Sequence, residues 1–198
     1  MSKASFTMII TTVDSDFAKQ KLRSVTKLLD SLLAGDWPYG DAKQALGLLR
    51  DQFFSELQKI ENLDPEADPL IRSAHCAQPR HLIQKSKGYI GFILRSSNIR
   101  NAFEIYNPIK LIGTALFGPQ HRLIVGSEWN YSPLLYPLPS QLPEDYILVG
   151  LPASEAQNAL LVPTSGHELG HAIWRSTDIN RRFSGLIRQS VINTYRDR

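Results

Sequence analysis

Thr164-Ser165-Gly166-His167-Glu168-Leu169-Gly170-His171-Ala172-Ile173 is the stretch that organises the reading of this chain. Its centre is His-Glu-x-x-His, inside a segment whose pattern predicts a helix. Side chains four apart on a helix lie one turn apart on the same face. His167 and His171 can therefore converge on one metal ion, with Glu168 beside them as a candidate general base. Leu169, Gly170, Ala172 and Ile173 are small or apolar, so no competing charge adjoins the two rings. Gly170 is expected to let another backbone come close. Trp174 continues the histidine face and is expected to wall a pocket. No further Glu follows Glu168, and no further His follows His171.

A catalytic zinc site takes three protein ligands and keeps one position open for water. Zinc brings the pKa of that water to about 7. A nearby carboxylate, here Glu168, then accepts the proton and passes it to the leaving amine. Both imidazoles must be neutral to bind the ion, so affinity falls as pH drops through the range where imidazole titrates. A competing reading of part of the motif is a helix capping box, in which Glu168 bonds back to the Ser165 backbone.

Over these ten residues the chain resembles the zincin metallopeptidases, whose extended motif has uncharged neighbours and a hydrophobic residue two past the second His. The order of strands followed by the motif helix resembles the gluzincin branch. The resemblance implies zinc-dependent peptide hydrolysis of a peptide or protein substrate. It also implies an edge strand that holds extended peptide ahead of the motif helix, and Tyr146 to Leu151 stands in that place. Gluzincins draw the third ligand from a Glu on the next helix, yet residues 180–196 contain none. The position a metzincin would use is Thr177, with Trp174 where that family has a turn Gly. Asp178 is one candidate third ligand. Asp197 is another, since Asn193 and Asp197 have the spacing of the gluzincin Glu and its supporting Asp. Further alternatives are a residue beyond 198, the chain then being the N-terminal part of a longer enzyme, or an upstream Glu128, Glu144 or His121. With no third ligand, the same fold would be an inactive zincin-like binding or regulatory module.

The composition fits a globular protein: 198 residues, 42% hydrophobic and 21% charged, enough to bury a core. A formal net charge of +3 is too small to argue for nucleic acid. From Arg175 to Arg198, however, basic residues outnumber acidic ones, which fits either a solvated helix face or a surface for an acidic protein partner or another domain. One cysteine, Cys76, excludes a disulfide framework within the chain and points to a reducing, cytoplasmic setting. A small buried apolar role is expected for it. No stretch reaches the roughly 20 apolar residues of a membrane span, and the short apolar run near the N-terminus lacks the features of a signal peptide.

The patterning predicts a mixed α+β chain. Residues 1–97 read as a mainly helical region and 98–198 as a zincin-like unit of helix, small sheet of about three strands, motif helix and further helix. Residues 5–12 are rich in β-branched side chains and predict a strand. Asp14-Ser15-Asp16 offers caps for a helix carrying Leu22, Val25, Leu29 and Leu32, and residues 41–61 predict a second with Leu46, Leu49, Phe53, Leu57 and Ile60 on one side. Residues 62–80, with Pro65, Pro69 and Pro79, predict loop. Residues 86–94 read as strand or short helix, and 98–117 as a helix interrupted near Pro108. Strands are expected at 122–125, 131–136 and 146–151, then the motif helix from about Ala156 or Pro163 to Arg175. A last helix fits 180–196, with Phe183, Leu186, Ile187, Val191 and Tyr195 on its inner side.

Overall fold

The computed structural model describes residues 3–64, 66–97, 103–129, 132–155, 158–177 and 179–196. Among these the chain is mixed α+β and mostly helical, with six α-helices and one three-stranded sheet. It divides into two compact units, Met1–Asn98 with Pro139–Pro143, and Ile99–Leu138 with Glu144–Arg198. No helix among the described residues is long and apolar enough to cross a membrane.

The first unit contains α1 (Lys3–Leu33), α2 (Gly40–Glu61) and α3 (Pro69–Ser96), each packed against the other two. The apolar stripe of α2 is fully committed: Leu46, Leu49, Phe53, Leu57 and Ile60 are all buried. Burying such a side chain contributes about 1.5–3 kcal/mol, which outweighs helix propensity many times over. On α1, which packs against α2 and α3, Leu22 and Leu29 are completely buried.

Three local expectations are corrected in this unit. Residues 5–12 belong to α1 and form no strand, and Asp14-Ser15-Asp16 lies inside that helix instead of capping it. A β-branched run lowers helix propensity by only tenths of a kcal/mol per residue, less than one packed helical neighbour returns. The predicted loop at 62–80 is mostly α3, and 86–94 is helical. Pro69 occupies the first turn, where its missing N–H costs nothing, and the Asp68 carboxylate accepts the Leu70 N–H at 2.7 Å as an N-cap. Pro79 lies in the helix interior and is buried, so packing holds the helix together across one lost hydrogen bond.

The second unit runs α4 (Phe103–Phe117), β1 (Arg122–Glu128), β2 (Leu134–Leu135), β3 (Tyr146–Pro152), a short 3-10 turn (Ala153–Glu155), α5 (Leu161–Ser176) and α6 (Ile179–Arg196). The helix α4 continues through Pro108, where the sequence predicted a break. It ends at Gly118, whose φ of +89° only glycine adopts freely and whose N–H closes on the Thr114 carbonyl at 3.0 Å. The sheet order is β1-β3-β2. β3 pairs in parallel with β1, Arg122 opposite Tyr146, and antiparallel with β2, Leu134 opposite Gly150.

The strand Tyr146–Pro152 is therefore the centre of the sheet, not the edge that the resemblance assigned to it. Every residue of it is buried, and its unbroken apolar run is what a strand covered on both faces requires. Gly150 lets both neighbours close in: a Cβ there would lie 2.9 Å from Glu128 Cγ and 3.2 Å from Leu134 Cγ. The open edge next to the motif helix is β2.

The last helix departs from expectation in its packing. Phe183, Leu186, Ile187, Val191 and Tyr195 do share one side of α6, but that side is exposed, Tyr195 by 76%.

Candidate metal centre

The motif falls in the middle of α5, a helix with two distinct faces. Leu161, Ser165 and Leu169, spaced four apart, are buried on the side that packs against α4, β2 and β3. At 100° per residue, His167 and His171 fall on the far side and are exposed. Glu168 comes between the two faces and is half-buried. Ser165 lies inside the helix and its hydroxyl donates to the Leu161 carbonyl at 2.6 Å, so the capping-box alternative does not form. Gly170 has no atom within 4 Å of where a Cβ would sit, so no backbone packs there and the space beside the histidines is open. Trp174 is exposed and does not line the cavity beside this helix.

The two imidazoles face each other. Nε2 of His167 and Nε2 of His171 are 3.1 Å apart, with ring centroids at 4.7 Å and planes at 83°. Two nitrogens each about 2.05 Å from a tetrahedral zinc ion would be separated by about 3.3 Å, so the 3.1 Å between these two is close to the spacing of two ligands of one ion. Candidate ligand atoms of His167, Glu168 and His171 all lie within 4.8 Å of one another. Two imidazoles are donors that a divalent transition-metal ion accepts, and the Glu168 carboxylate lies within reach of the same point.

Glu168 has a hydrogen-bond partner that the sequence did not signal. Its Oε2 accepts the backbone N–H of Leu135, on β2, at 2.9 Å. A main-chain donor leaves no mark on composition or spacing, and only the pairing register of a strand brings it forward.

Among the described residues, His167, Glu168 and His171 are the one group of three such side chains close enough to share an ion. The upstream alternatives Glu128, Glu144 and His121 do not join it. His121 is buried in the turn between α4 and β1, its Nδ1 2.7 Å from the Gly118 carbonyl and its Nε2 against Gly113. Asp178 and Asp197 lie outside the described residues. Thr177 closes α5, its N–H and hydroxyl both donating to the Ile173 carbonyl at 2.9 and 2.7 Å. Asn193 accepts from Gln189 along α6 at 3.0 Å.

Towards the C-terminal end of α5 a cavity of about 640 Å³ opens against the sheet. Phe117, Leu135, Leu148 and Ala172 give it apolar walls, and Arg175 and Tyr136 supply polar ones. It begins one residue past His171 and shares Leu135 with the Glu168 contact. No known protein family, curated protein or solved structure matches this chain.

Proposed function

We propose that the chain is a zinc-dependent peptide hydrolase of zincin type, resembling the gluzincins, with His167 and His171 as metal ligands and Glu168 as general base. The observation that carries this reading is the 3.1 Å approach of two exposed imidazole nitrogens with a carboxylate in reach of the same point. Zinc, when bound, supplies a water acidified to near neutrality and a Lewis acid for the scissile carbonyl. His167 and His171 would hold the ion through Nε2 as two of its three protein ligands. Glu168 takes the proton of the attacking water on a carboxylate oxygen and returns it to the leaving amine nitrogen. The outer edge of β2 aligns an extended backbone. The neighbouring cavity, with Phe117, Leu135 and Leu148 in its walls, receives an apolar side chain of the substrate. A reducing compartment suits a chain whose one cysteine, Cys76, is buried.

Metal analysis of the purified chain and of Glu168→Ala tests the proposal. The expected result is about one zinc per chain in both, with peptide hydrolysis confined to the unmodified protein. Absence of zinc from the unmodified protein under metal-replete conditions would sink it.

The exposed side of α6 favours a second role beside hydrolysis, contact with an acidic protein partner. Leu186 and Tyr195 are 66% and 76% exposed, and the helix carries Arg181 and Arg188 with no Asp or Glu. Partner binding should then weaken steeply as salt rises, and a salt-independent affinity would argue against it.

A further inference from the structure

The pairing of β2 with β3 determines which backbone groups face outward. Tyr136 N–H donates to the Leu148 carbonyl at 2.9 Å, and Leu135 stands opposite Val149. In an antiparallel pair, residues that exchange hydrogen bonds alternate with residues whose N–H and C=O both point away from the partner. Tyr136 bonds inward, so Leu135, the next residue along, presents its N–H and C=O to the open edge. On a strand of only two residues this is the single outward rung. Its N–H is already engaged, by Glu168 Oε2 at 2.9 Å.

We propose that Glu168 bars the open edge of β2 in the resting protein, and that an arriving extended peptide displaces it. One carbonyl of the peptide takes over the Leu135 N–H, one of its N–H groups donates to the Leu135 carbonyl, and the Glu168 carboxylate is released towards His167 and His171. Entry of the substrate and freeing of the base are then one exchange of hydrogen bonds, with no bond made or broken covalently. The exchange opposes binding slightly, because a carboxylate is a stronger acceptor than a neutral carbonyl. The second hydrogen bond and the side-chain cavity beside Leu135 make up the difference. That Glu168 acts as a base rests on the proposed hydrolase; its competition for the Leu135 N–H does not.

Amide hydrogen exchange at Leu135 and peptide titration, both followed by NMR, test this without turnover. The full chain is used after metal removal with a chelator, and the probe is a capped Thr-Val-Thr-Val peptide. Glu168→Ala should speed exchange of the Leu135 amide by roughly tenfold or more, whereas Glu168→Gln, which keeps an acceptor oxygen, should retain most of the protection. The peptide should bind Glu168→Ala roughly tenfold more tightly than the unmodified chain and restore protection at Leu135. Leu135→Pro removes the donor from the side facing away from β3, where proline is tolerated, and should abolish that difference. If Leu135→Pro does not fold, the first two variants decide alone. Unchanged exchange at Leu135 in Glu168→Ala, equal peptide affinity for both chains, or no binding to either overturns the proposal. A chain that lacks zinc yet shows the exchange would end the hydrolase reading and leave the barred edge standing.

Discussion

The two faces of α5 obey different rules. Leu161, Ser165 and Leu169 are buried and have no chemistry to offer, while His167 and His171, less than one turn away, are exposed and contribute nothing to packing. One face therefore holds the helix in place, and the other spends its exposure on a potential ligand pair. A helix that must do both divides the tasks by angle, and substitutions should divide the same way.

The largest effect is expected on the packing face. Leu169→Ala should cost about 2–5 kcal/mol, because the side chain is fully buried and leaves a cavity. Denaturant unfolding measures this, and the fraction still folded should bind zinc as before. On the opposite face, His171→Ala should lower zinc affinity by more than the roughly 10–100-fold lost with an outer partner of a ligand. The metal-free protein should stay within about 0.5 kcal/mol of its parent; a large loss of stability would show that the histidine face packs after all. A smaller effect is expected on α4, which packs against α5. Gly113→Ala would place a Cβ 2.6 Å from the buried His121 Nε2 and should destabilise by about 1–3 kcal/mol in thermal unfolding. The smallest effect has the opposite sign. Gly170→Ala meets open space within the helix and should raise stability by about 0.5–1 kcal/mol, checked by the same unfolding measurement. A loss instead would mean that something does approach Gly170.

How far the sequence was legible follows from what each signal measures. Apolar spacing of 3.6 located the buried stripe of α2 residue for residue, from Leu46 to Ile60, and the same spacing located the stripe of α6 from Phe183 to Tyr195. Only the first is covered. Periodicity reports which side of a helix is apolar; whether a neighbour meets it depends on tertiary placement. Proline was misleading for a related reason. Pro69, Pro79 and Pro108 read as breaks, but a first-turn proline initiates a helix, and an interior one, buried at Pro79 and half-buried at Pro108, is outvoted by packing. Residues 146–151 were legible as a strand, but the resemblance put that strand at the edge, whereas the sheet order puts it in the centre, where its unbroken apolar run is covered on both faces. The His-Glu-x-x-His spacing by itself put both rings on one face of a helix. The partner of Glu168 was invisible, because Leu135 serves through its main chain.

A two-residue edge strand also bears on how the protein behaves in a crowded solution. Unpaired strand edges invite other chains to add on, the first step towards aggregates and fibrils. β2 is short, Pro133 just before it has no N–H to offer, and its outward donor is held by a negatively charged side chain. Another sheet approaching this edge finds no donor waiting and a carboxylate in its path. Glu168→Ala should on that account form light-scattering aggregates sooner than the parent on prolonged warming, a liability unrelated to any loss of catalysis.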